Sequence, residues 1–152
     1  MVDQRSEILS SREEENPELA HVLLAEDDKS LREMYGLVFG GLVPEAGVFD
    51  SFQMVGSGQE ALEVFKANPD HFNVLITDYD MPPGINGSEL AKEIKELSNG
   101  RVLTVLLSAR VDDSFSERPP EFDLVLPKRF SIKDVPDIAS KIRAGMTKAT
   151  AA

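Results

Sequence analysis

The sequence predicts an α/β fold, a doubly wound five-stranded parallel sheet in the strand order 2-1-3-4-5 with a short or disordered fourth helix. Three observations lead there. Four short runs, Val22–Ala25, Val74–Ile76, Val102–Leu107 and Leu124–Leu126, are almost continuously apolar. Strands covered on both faces carry such runs, because neither face meets water. Amphipathic helical patterns alternate with them, and strand–helix alternation over short connections implies right-handed crossovers. Each run also ends on a charged or hydroxyl group, and the carboxyl ends of parallel strands converge on one crevice.

The elements follow in order. Residues 1–20 hold six acids and two bases and read as a flexible acidic arm or linker. The first strand, Val22–Ala25, ends on Glu26-Asp27-Asp28, with Asp28 placed to cap the next helix. Leu31, Tyr35 and Val38 then form an apolar helical stripe. Phe52–Val55 is the weaker second strand. Ser57 with Glu60 matches a capping box, and Leu62 and Phe65 supply the stripe of the helix it opens. The third strand ends on Asp78, and Leu90, Ile94 and Leu97 mark the helix beyond it. The fourth strand ends on Ser108-Ala109.

Residues 110–122 should hold the fourth helix, but Pro119-Pro120 stops it and leaves at most two turns from Asp112. The fifth strand ends on Pro127-Lys128. Ser131 with Asp134 is a second capping candidate, followed by Val135, Ile138 and Ile142 at helical spacing; Pro136 is tolerable only in the first turn. Residues 40–51 make a long connection into the second strand. Residues 21–146 form the domain, and 147–152 a loose tail.

Composition narrows the function. The 152 residues make one domain, with 41% hydrophobic and 28% charged residues, ordinary for a soluble globular protein. With no cysteine there are no disulfides or thiolate metal sites. No apolar run approaches the roughly 20 residues that span a bilayer, and no secretory signal is visible. A net charge of −11 argues against sequence-independent nucleic-acid binding, which needs Lys and Arg along the phosphates. A cytoplasmic protein, without membrane or direct nucleic-acid contact, is expected.

Carboxylates crowded at one crevice repel unless a cation or proton intervenes, so a divalent-metal site around a reactive aspartate is the leading reading. Read together, Val-Leu-Leu-Ala-Glu26-Asp27-Asp28, Thr77-Asp78-Tyr-Asp-Met81-Pro82, Asn86-Gly87-Ser-Glu-Leu, Leu-Leu-Ser108-Ala109 and Pro127-Lys128-Arg-Phe130 resemble the response-regulator receiver domain of bacterial two-component signalling. The fold this implies is flavodoxin-like. The resemblance implies Asp78 as phosphoacceptor, charged by a histidine kinase or phosphotransfer protein. It implies Mg²⁺ (or Mn²⁺) held by Glu26, Asp27, Asp78 and the backbone carbonyl of Asp80, an all-oxygen set that suits either ion. Lys128 and Ser108 would each contact a phosphoryl oxygen, and Ala109 leaves room beside it. The expected product is a signalling switch and not an enzyme with turnover, acting on a downstream protein as a monomer or weak dimer.

The chain departs from the family in four places. Arg129 stands where a cis proline usually follows the lysine, and a non-proline cis bond costs about 2.5–4 kcal/mol. The loop Met-Pro-Pro-Gly-Ile-Asn-Gly after Asp80 is one residue longer than the common form. Val125 replaces a usual aromatic, and the fourth helix is short. Asp80 and Arg110 are expected to pair across the mouth of the pocket. His21 and His71 should lie at the rim without ligand-like partners, and Met81-Pro82 should shape the loop. Two other readings fit parts of the chain: a receiver-like binding module that is never phosphorylated, and a haloacid-dehalogenase-type phosphatase using Asp78-Tyr79-Asp80.

Overall fold

The computed structural model describes residues 20–40, 49–109 and 118–151. Five parallel strands, β1 (Ala20–Ala25), β2 (Phe49–Val55), β3 (Val74–Asp78), β4 (Leu103–Ser108) and β5 (Leu124–Pro127), lie in the order β2-β1-β3-β4-β5. Four α-helices accompany them among the described residues: α1 (Lys29–Gly40), α2 (Gly58–Ala67), α3 (Gly87–Leu97) and α4 (Val135–Ala151). A single 3-10 turn, Ile132–Asp134, leads into α4. This is the flavodoxin-like order, with helices on both faces of the sheet. The connection 41–48 and residues 110–117, where the fourth helix was expected, lie outside the described residues, as does the arm before Ala20.

Alternate residues of β1, β3, β4 and β5 enter opposite cores, which is why those runs are apolar, whereas the edge strand β2 is only partly buried, with Asp50 and Gln53 exposed. Val22, Leu24, Val74, Ile76, Val105 and Leu107 face α1 and α4, where Leu31, Tyr35, Val38, Ile138 and Ile142 meet them. Leu23, Ala25, Leu75 and Leu106 face α2 and α3, against Leu62, Phe65, Leu90 and Ile94. The register pairs Ala25 with Thr77 and Asp78 with Leu107, so β1, β3 and β4 end at one level. The site residues follow from that alignment.

Local chemistry starts the helices. Asp28 Oδ1 accepts the Leu31 N–H at 3.1 Å, capping α1. Ser57 Oγ accepts the Glu60 N–H at 3.1 Å, but the Glu60 carboxylate turns to the Gly56 N–H, so the box is only half closed. A full capping box opens α3, where Asn86 and Glu89 each accept the other's backbone N–H. The Asp134 carboxylate takes both the N–H and the hydroxyl of Ser131. Pro136 falls in the first turn of α4, where it is tolerated.

Three expectations change in detail. Leu97 is not part of the buried stripe of α3; it is 50% exposed, and the stripe of Leu90, Ala91 and Ile94 continues instead to the buried Ser98. The backbone of α4 continues to Ala151, into the segment expected as a loose tail. His21 and His71 face each other with ring centroids 4.9 Å apart, and both reach Ser51 Oγ, at 3.0 and 3.1 Å. They tie β1, β2 and the loop before β3 together at the end of the sheet opposite the carboxylates.

Candidate functional site

Each side chain of the site is placed by the strand it follows. Glu26 and Asp27 leave β1, Asp78 ends β3, Ser108 ends β4 and Lys128 follows β5. Asp27, Asp28, Asp78, Tyr79, Asp80, Pro82, Ser108, Ala109 and Lys128 border an open cleft of about 720 Å³.

The ammonium of Lys128 lies 2.7 Å from Asp78 Oδ2 and 3.3 Å from Glu26 Oε1. Asp78 Oδ1 accepts the Tyr79 N–H at 2.8 Å, which fixes the carboxylate plane. Glu26 is fully buried; its Oε2 accepts the Asp28 N–H at 3.0 Å, while Oε1 has no hydrogen-bond partner. Burial raises the Glu26 carboxyl to about 7, helped by the Asp78 charge, although the Asp28 N–H and Lys128 pull the other way. Burial alone would lower the Lys128 ammonium, but the hydrogen bond and charge of Asp78, with Glu26, outweigh it and raise the pKa. One oxygen from each of Glu26, Asp27 and Asp78 falls within 4.8 Å of the others. Three carboxylates share one cation, leaving an excess of negative charge around a buried Glu26 oxygen whose ion-pair partner, Lys128, is also bound to Asp78. A hard divalent cation fits this donor set.

The loop beyond Asp78 is anchored by backbone and sulfur. Thr77 Oγ1 donates to the Asp78 carbonyl at 2.8 Å and reaches Met81 Sδ at 3.9 Å, and Met81 is buried in the α2–α3 core, while Pro82 lies exposed at the cleft. The Gly87 N–H donates to the Tyr79 carbonyl at 2.7 Å. A Cβ on Gly87 would stand 2.0 Å from the Asp78 carbonyl oxygen, so only glycine permits that approach. Pro82–Pro83 is the cis peptide of the described residues, and Lys128–Arg129 is trans. Arg110 lies outside the described residues, and with it the expected pair to Asp80.

The structure thus brings together Glu26, Asp27, Asp78, Ser108 and Lys128, with Asp80 at the rim. Sequence reasoning missed Tyr35 as part of this neighbourhood. Its hydroxyl donates to the Lys128 carbonyl at 2.6 Å, across 93 residues of chain. The only signal was a polar tip within an otherwise apolar helical stripe.

Fold and site define a doubly wound α/β protein with a carboxylate cluster and a lysine at its switch point. The response regulator receiver domain family model matches residues 22–139. The chain belongs to that family, whose members are signalling switches of two-component systems and not classical enzymes; the phosphatase alternative has no support from the match. Similar solved structures include a response regulator receiver domain protein from Clostridium thermocellum, with a TM-score of 0.67 at 19% identity over 87% of this chain and 98% of that one. The chemotaxis response regulator CheY4 of Vibrio cholerae superposes with a TM-score of 0.63 at 22% identity, covering 82% of this chain and 99% of that one. TrrA of Thermotoga maritima, solved in complex with Mg²⁺ and BeF, gives 0.63 at 24% identity over 81% and 98%. No curated protein matches the chain significantly. No helix among the described residues is long and apolar enough to cross a membrane.

Proposed function

We propose that this chain is a phosphoacceptor switch that takes a phosphoryl group onto Asp78, with Mg²⁺ or Mn²⁺ bound, from a histidine kinase or phosphotransfer protein. The observation that carries the reading is the meeting of Glu26, Asp27 and Asp78 oxygens within 4.8 Å, with the Lys128 ammonium on Asp78. Glu26, Asp27, Asp78 and the Asp80 carbonyl would hold the cation, which when bound neutralises charge on the phosphoryl oxygens.

The chain's own residues do the rest. An Asp78 carboxylate oxygen bonds to phosphorus as the donor's P–N bond breaks, and the leaving imidazole keeps the electron pair and takes a proton from solvent. Positioning and charge neutralisation dominate such transfers. Tyr79 N–H holds one carboxylate oxygen still while the other attacks. Lys128 then exchanges a carboxylate oxygen for a phosphoryl oxygen, keeping its charge-assisted hydrogen bond. Ser108, on the lip of the same cleft, donates its hydroxyl to another phosphoryl oxygen and draws its loop inward. That movement is the signal read by a downstream protein.

Intact mass after incubation with acetyl phosphate, with and without Mg²⁺, tests the reading beside an Asp78→Asn control. A Mg²⁺-dependent phosphoryl adduct absent from the control supports it. With no adduct, beryllofluoride binding would identify a rapidly self-hydrolysing switch. Failure of both would leave a receiver that acts only as a binding module.

A further inference from the structure

We propose that Tyr35 is a positioning residue for this chemistry, holding the main chain at Lys128 so that the ammonium reaches Asp78. This rests on the phosphoacceptor reading and adds to it a residue outside the cleft.

Tyr35 is fully buried in the core between α1 and the sheet. A buried phenol needs a partner, and its hydroxyl finds one in the Lys128 carbonyl at 2.6 Å. Burial raises the phenol's pKa, so it stays a protonated donor. The Lys128 N–H is also committed, to the Ser108 carbonyl at 2.8 Å. Both backbone polar groups of the lysine are therefore tied, one to β4 and one to α1. The rings repeat the connection: Phe130 stacks on Tyr35 at 5.9 Å and 17°, and meets Phe39 at 5.6 Å. Lys128–Phe130 lies between β5 and the 3-10 turn, with no ladder of its own and no proline ring to restrict it. Bond and stack supply the constraint that this short segment lacks.

The same helix also holds the carboxylate side of the site. Asp28 caps its first turn, and Arg32 Nη1 donates to the Glu26 carbonyl at 2.7 Å. Helix α1 thus sets the spacing between the loop carrying Glu26 and Asp27 and the loop carrying Lys128. Tyr35 is the far end of that ruler.

Tyr35→Phe keeps the ring and its stacking and removes only the hydroxyl. The expected result is an Asp78 phosphorylation rate with acetyl phosphate about tenfold lower at saturating Mg²⁺, because small misplacements of catalytic groups are costly. Mg²⁺ affinity should stay within about twofold, since no carboxylate is touched. In a Lys128→Ala background the added Tyr35→Phe should change the rate no further; general loosening would slow both backgrounds alike. Phe130→Leu, which keeps the hydroxyl bond and removes the stack, should lower the rate by a smaller factor. An independent arm needs no phosphodonor: the Lys128 ammonium resonance, sheltered by its ion pair in the native protein, should weaken in Tyr35→Phe and in Asp78→Asn. An unchanged resonance and an unchanged rate in Tyr35→Phe, or equal losses in both backgrounds, would overturn the proposal. If the native protein took no phosphoryl group and bound no beryllofluoride, the phosphoacceptor reading would fall and the resonance alone would decide the role of Tyr35.

Discussion

Replacing Lys128 by Met removes the one cation that touches the carboxylate cluster among the described residues and keeps most of the apolar stem. Its ammonium stands 2.7 Å from Asp78 and 3.3 Å from Glu26, with the side chain 19% exposed. At an effective dielectric constant near 20, the two attractions are worth about 6 and 5 kcal/mol before desolvation is subtracted. Burying the ammonium offsets much of this, and removing one partner of a buried pair typically costs about 3–5 kcal/mol. Glu26 limits the damage: its carboxyl already titrates at about 7, so at neutral pH it takes a proton at little cost. The net destabilisation expected is therefore about 2–3 kcal/mol, or a Tm lowered by about 4–12 °C for a chain of this size. Urea unfolding of both proteins in metal-free buffer measures it. Mg²⁺ should then recover more stability in Lys128→Met than in the native protein, because the ammonium no longer competes for Asp78. Equal stability without metal, or equal gains with it, would show that Lys128 does not balance the cluster.

Further expectations concern pH and backbone. The Glu26 carboxyl is raised on folding from 4.5 to about 7, so it adds stability fully present below about 4.5 and lost as pH rises to 7. Metal-free unfolding curves should show that decline, while Mg²⁺ affinity measured by calorimetry climbs over the same window and then levels off. Gly87→Ala would press a methyl against the Asp78 carbonyl, a backbone group that cannot rotate away. A loss of about 3 kcal/mol is expected in urea, with slower acetyl phosphate labelling; native-like values for both would contradict the contact. Asn86→Ala removes the α3 cap and should cost about 1 kcal/mol in the same assay, leaving Asp78 labelling unchanged.

The sheet was legible because its inner strands are buried on both faces and its helices on one, while the half-exposed edge strand β2 carries the weaker signal. Val22 and Leu24 go to one core and Leu23 and Ala25 to the other, so the run had to be apolar without interruption. The carboxylates, Ser108 and Lys128 were legible for a topological reason: parallel strands ending at one level must bring together whatever follows them. Helix caps at Asp28 and Ser57 depend on residues three positions apart, and such patterns survive in sequence. Leu97 misled because it stands three residues after Ile94, whereas the buried face continues four residues on, at the polar Ser98, which an apolar pattern passes over.

By itself, then, the sequence determined the alternation of elements, the two-faced burial of the strands and the set of groups gathered at their carboxyl ends. These are local periodicities, joined by a rule that allows one handedness of crossover. Only the tertiary structure decided which partners those groups take. That Lys128 bonds Asp78, that the buried Glu26 shares the same ammonium, and that Tyr35 reaches the Lys128 carbonyl depend on helix and strand positions set by packing. The pairing of His21 with His71 through Ser51 has the same origin. Such contacts between residues distant in the chain are worth only about 1–3 kcal/mol each. They leave no periodic trace, because only the packed core brings them within reach.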